Sequence, residues 1–158
     1  MKKYRTEIKW GVIFAISTLV WMYFEKAMGW HDELIAQQLI YTNLFALVAI
    51  VIYVQALKEK RNKDFIGKMS WKQGFISGII ISIVVAILTP FTQYIGSTWI
   101  APNLFPNLID YMVETGKMTE EGATNYFNLK SYMVQGTFGA LTMGVVTSAI
   151  VAIFLKKQ

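Results

Sequence analysis

The single histidine of the chain, His31, stands beside Asp32 and Glu33 and follows Glu25 by six residues. Imidazole and carboxylate are the ligands that a divalent cation takes, so this cluster is the first place to look for chemistry. Its spacing argues against a metal: three adjacent side chains point in different directions on a helix or turn, and no second histidine stands at a ligand spacing. Glu25 adjoins Lys26 at the end of an apolar run, which reads as an interfacial carboxylate, solvated or paired. No metal ligand is assigned.

Other reactive groups are scarcer still. Cysteine is absent, which removes a disulfide framework, thiolate metal ligation and a cysteine nucleophile. There is no glycine-rich phosphate loop, nucleophile elbow or metallopeptidase histidine pair. No acid, base or nucleophile is assembled, so no catalytic residue and no cofactor site are expected, and the chain reads as something other than an enzyme.

The elements that hold these residues are apolar. Of the 158 residues 54% are hydrophobic and 16% charged, against roughly 25% charged in ordinary globular chains. Uncharged stretches at 10–24, 34–57, 73–109 and 131–155 compete to cross a bilayer, whose hydrocarbon takes about 20 apolar residues to span. The first is short, and it spans if Lys9 and the pair Glu25 and Lys26 snorkel to opposite interfaces. A cleaved secretory signal is the rival reading for it, since Lys2, Lys3 and Arg5 precede the run and Ala27-Met28-Gly29 offers small residues for cleavage. The expected spans are 7–27, 32–58, 71–94 and 132–155, within a single integral membrane domain.

Charge sets an orientation. Twelve of the fifteen basic residues lie before the first span, between the second and third, or at the end, while seven of the ten acids lie in the other two connections. Lysine and arginine are retained in the cytoplasm, so both termini are expected inside, in a bacterial inner membrane. The net charge of +5 therefore reads as a retention signal and a contact for anionic lipid, with no nucleic-acid partner. All five tryptophans fall near span ends, Trp10 and Trp71 at the inner boundary and Trp21, Trp30 and Trp99 at the outer one, as an interfacial belt requires.

Local signals place the boundaries. Gly29 ends the first span, Asp32 is a candidate N-cap of the second, and Ser70 is the cap of the third. Pro90 removes a backbone donor inside the third span and predicts a kink there, with Thr89, Thr92 and Gln93 available to the freed carbonyl. Residues 102–131 form an outer segment: a short amphipathic helix from Pro106, stopped by Gly116, then a second helix capped by Thr119.

Small residues recur every fourth position on the third span (Gly74, Gly78, Ser82, Ala86, then Pro90) and on the fourth (Gly136, Ala140, Gly144, Ser148, Ala152). Helices in lipid gain little from hydrophobic association, so such rows mark close backbone packing between these two antiparallel spans. A four-residue step drifts by roughly 40° around an ideal helix, which leaves only part of each row for one partner. Asn43, Gln55, Gln93 and Gln135 read as interhelical hydrogen-bond glue.

Five segments follow in order: Lys9-Trp10-Gly11-Val12-Ile13-Phe14, Ala56-Leu57-Lys58-Glu59-Lys60, Ser70-Trp71-Lys72-Gln73-Gly74-Phe75, the acidic Gly116-Lys117-Met118-Thr119-Glu120-Glu121, and the glycine-rich last span ending in Lys156-Lys157. In these the chain resembles a family of small bacterial membrane proteins known as domain of unknown function 4199. The resemblance implies four spans and supplies no activity. The chain is more aromatic and less acidic between its third and fourth spans than the family pattern.

The fold expected is all-α: a four-helix transmembrane bundle with two short amphipathic helices between the third and fourth spans. The first functional expectation is a non-enzymatic accessory or scaffold subunit that packs against a second copy or another membrane protein. The alternative is a small-solute transporter or channel acting as an oligomer. A polar cavity between the helices near the bilayer midplane separates the two, because a carrier needs one and a scaffold does not.

Overall fold

The computed structural model describes residues 4–157; Lys2 and Lys3 of the basic leader lie outside them. Helix α1 covers Arg5–Ala27, α2 Ile35–Tyr41, α3 Phe45–Asp64, α4 Trp71–Ile95, α5 Leu104–Glu114, α6 Glu120–Tyr126 and α7 Leu129–Leu155. A 3₁₀ turn at Thr42–Leu44 joins α2 to α3, and a π turn at Gly96–Ile100 prolongs α4. Four runs are long and apolar enough to cross a membrane: Arg5–Ala27, Ile35–Asp64, Trp71–Ile100 and Leu129–Leu155. The shortest has 23 residues, or about 35 Å at 1.5 Å per residue, which clears the hydrocarbon thickness.

Burial follows the logic of lipid as solvent. Large apolar side chains such as Ile16, Val20, Ile87, Phe91, Phe138 and Phe154 face outward, while glycine, alanine, serine and threonine fill the helix contacts. The heaviest contact is between α4 and α7. Along it Gly74 lies against Ala152, Gly78 against Ser148, Ser82 against Gly144, and Thr89 against Gly136. A Cβ on Gly78 would overlap the Ser148 side chain, and one on Gly136 would come within 2.8 Å of the Thr89 methyl. On α4 the contact follows the row to Ser82 and then passes to Thr89, as the drift of a four-residue step requires. Ala86 is buried on the same helix, and Ala140 packs on the core cluster. The chain stays helical through Pro90. Thr89 and Thr92 hydroxyls donate to the Val85 and Thr89 carbonyls, not to the Ala86 carbonyl that Pro90 leaves without its amide.

Helix α1 is a structural member of the bundle, since Gly11 is buried against Val84 of α4. At the lysine-rich end Glu7 and Asp64 both contact the Lys60 ammonium, with Glu7 Oε1 at 2.8 Å. Glu59 gathers Lys9, Lys63 and the Trp10 indole N–H. Met69 and Lys157 exchange backbone hydrogen bonds of 2.8 and 2.9 Å, tying the inner connection to the end of α7. Arg61 donates to the Leu155 carbonyl at 3.2 Å, satisfying a terminal acceptor of α7.

Side-chain caps start α4, α6 and α7. Ser70 and Gln73 form a reciprocal capping box on α4, and Thr119 accepts from Gly122 N–H on α6. Asn128 accepts from Ser131 N–H, so α7 begins as a separate helix and α6 does not run into it. Asp32 is not the cap of the second span. The chain passes through turns to Leu34, and the Asp32 carboxylate instead accepts from Asn107 at 3.2 Å. The cause is the stop after α1, where Gly29 at φ 75° closes a Schellman turn, with Trp30 N–H on Glu25 O and Gly29 N–H on Lys26 O. This reversal consumes the residues that would otherwise start the next helix.

Candidate functional site

The turn that Gly29 closes brings His31 back over the last turn of α1. His31 Nε2 sits 3.1 Å from Glu25 Oε2, and Trp21, one turn earlier on α1, donates its indole N–H to Glu25 Oε1 at 2.8 Å. Glu25 and His31 are 2% and 1% exposed, so of the two fates expected for Glu25, solvated or paired, the structure has the paired one, buried and with His31 as the partner. From α5, Asn107 donates to the His31 carbonyl at 2.7 Å and anchors the turn. His31 Nδ1 is buried without a hydrogen-bond partner. Trp30 of the same turn stacks on Tyr41 at the end of α2.

Glu25 lines a chamber of about 140 Å³ together with Trp21, Gln38, Thr42, Gln93 and Tyr132. Toward the outer helices this chamber shares Gln38, Thr42 and Tyr132 with a vestibule of about 370 Å³ that reaches Met112 and Met118. Toward the bundle centre it shares Thr18, Thr42, Phe45 and Gln93 with a crevice of about 440 Å³. That crevice runs between α1, α3, α4 and α7 as far as Val85, Met143 and Thr147. Hydroxyls and amides of Thr18, Asn43, Thr89, Gln93 and Thr147 are spaced along otherwise apolar walls. Three cavities with shared walls thus lead from the acidic end of the molecule to its middle.

Next to Met143 of the crevice, Gly144 belongs to a buried contact between α3, α4 and α7, the plug. Ser82 gives its proton to the Gly78 carbonyl at 2.9 Å, so the Tyr53 hydroxyl is the donor in the 2.8 Å bond between them. Gly144 sits against both groups, and Leu57, Ile81, Val151 and Leu155 complete a buried apolar cluster below. Burial raises the tendency of such a polar pair to stay bonded, because an orphaned hydroxyl there costs its full desolvation.

The remaining polar residues of the spans behave otherwise than interhelical glue. Asn43 donates to the Leu39 and Ile40 carbonyls of its own segment, and Gln55 and Gln135 are exposed on outward faces. Of the four, Asn43 and Gln93 line the path, and Gln93 borders both the crevice and the chamber. Of the packing rows, Gly136 and Ala140 border the crevice, Gly74, Gly78, Ser82, Gly144 and Ser148 belong to the tight half, and Pro90 borders an apolar groove with Phe138 on the lipid side. Among the described residues no group of three or more histidine and acidic side chains is placed to hold a metal ion.

Sequence reasoning missed the Glu25–His31 union because it depends on a chain reversal. The signal was present: a carboxylate in the last turn, glycine four residues on, and an imidazole two after that. None of the curated proteins and none of the solved structures matches this chain. A family model does, over residues 9–157, and with nearly its whole length covered the chain belongs to the family described as protein of unknown function (DUF4199).

Proposed function

We propose that this protein is a small-solute carrier or channel of the inner membrane, with its lysine-rich end and both termini in the cytoplasm. The observation that carries the reading is the chain of cavities, with polar groups spaced along mainly apolar walls, from the acidic end to the bundle middle, closed beneath by Tyr53 and Ser82. Polar groups are expensive against hydrocarbon, and a row of them along one internal wall is what a hydrated path between helices requires. The charge distribution supports the orientation, since lysine and arginine crowd the plugged end. On this reading the cavities open to the outside.

The accessory-subunit reading keeps one supporting feature. Ala46, Gly139 and Met143 line the crevice yet are exposed, so it also opens sideways between α3 and α7, where an apolar chain or a partner helix fits. Water in the crevice separates the two. The absence of native cysteine allows single cysteines at Thr18 and Thr147, with Ile87 on the lipid face as control. A thiol reagent that attacks only the hydrated thiolate, such as N-ethylmaleimide, is expected to label positions 18 and 147 in intact membranes and to leave 87 unlabelled. Equal protection at all three would show a crevice filled by lipid or protein and would return the accessory reading to first place.

A further inference from the structure

We infer that the chamber at Glu25 is a binding site for a small monovalent cation of the ammonium type; this deepens the solute-path reading and rests on it. Glu25 is 2% exposed, and His31 is its one ion-pair partner by distance among the described residues. Whether that partner carries charge follows from its other nitrogen. A protonated imidazole would leave an Nδ1–H buried with no acceptor, whereas the neutral tautomer with its proton on Nε2 donates to Glu25 and leaves only a bare lone pair at Nδ1. The neutral form is therefore the better fit to the geometry. It leaves the carboxylate holding two hydrogen bonds, from Trp21 and His31, and no compensating charge.

A buried carboxylate in that condition takes up a proton or a cation. The chamber is built for the second. Its volume of about 140 Å³ admits a methylammonium-sized ion. Gln38, Gln93 and Thr42 supply neutral oxygens for the ammonium protons, and Trp21, Phe45 and Tyr132 supply aromatic walls that attract a cation through their quadrupoles. The nearest other charges in sequence, Lys26, Asp32 and Glu33, are exposed, and Asp32 is held by Asn107. None of them shares the chamber.

His31 is the sole histidine, so its ring gives one assignable set of nitrogen signals in the histidine-labelled protein. The full chain in detergent is titrated with methylammonium chloride at ionic strength held constant by N-methylglucamine chloride, whose cation is far bulkier. A saturable shift of the His31 ring signals is expected with methylammonium and none with methanol, an uncharged molecule of similar size. In Glu25→Gln the methylammonium affinity is expected to fall by about tenfold or more, the loss of one charge-assisted contact. No saturable shift in the wild-type protein, or the same shift with methanol, would overturn the proposal without any variant. An unchanged affinity in a folded Glu25→Gln protein would overturn it as well. Failure here together with labelled cysteines at 18 and 147 would leave the solute path standing and remove only the cation.

Discussion

The two halves of the bundle are made from the same small residues and do opposite things with them. Toward the lysine-rich end, Gly78 and Gly144 each meet a serine of the facing helix, and the charges of Glu7, Lys60 and Asp64 are spent on one another. Toward the acidic end, Gly139 has nothing within 4 Å of where its Cβ would stand, and Glu25 faces a chamber. A small residue permits close approach without supplying the neighbour that exploits it. What seals one half is the presence of knobs opposite the gaps, and what opens the other is the crevice lined by α3 and α7.

The largest contrast should come from filling the gaps. Gly78→Leu forces α4 and α7 apart at their tightest point and is expected to cost about 3 kcal/mol or more, read as a large drop in the unfolding midpoint in detergent. The comparison breaks if Gly139→Leu in the open half is equally damaging, because that side chain has space and should change stability by no more than about 0.5 kcal/mol.

Charge comes next. Lys60→Met leaves the Glu7 carboxylate, 1% exposed, without its cation and should destabilise by about 3 kcal/mol. Adding Glu7→Gln should recover part of that loss, since it removes the stranded charge, and a double mutant no better than Lys60→Met would show that the pair is not coupled.

The smallest effect concerns the plug. Tyr53→Phe removes the hydroxyl that donates to Ser82 and should cost about 1 kcal/mol, with a gain in labelling of a cysteine at Thr147 if the plug limits water entry. Stability unchanged and labelling unchanged would reduce the Tyr53–Ser82 bond to ornament.

Much of this architecture was legible in the residues, and the rest was not for definite reasons. Uncharged length alone separates four spans, because hydrocarbon penalises every charge within it. Thr119 and Gly116, the latter at φ 65°, mark the outer helices because capping and left-handed stops are local events. The Glu7–Lys60 contact joins residues on different helices, and no pattern within either helix announces it. Asp32 misleads for a related reason: its side chain suits a cap, but the turn set by Gly29 delays the helix to Ile35 and hands Asp32 to Asn107. The crevice was least legible, since it is a property of the divergence between helices and not of any one of them.

Sidedness of access tests the comparison most directly. A single cysteine at Gly139 in sealed, oriented vesicles is treated with a membrane-impermeant thiol reagent from either face. Reaction from the acidic side alone is predicted, because the vestibule leads there and the plug lies between this position and the lysines. Reaction from the lysine-rich side, or from neither, would contradict a bundle sealed at one end and open at the other.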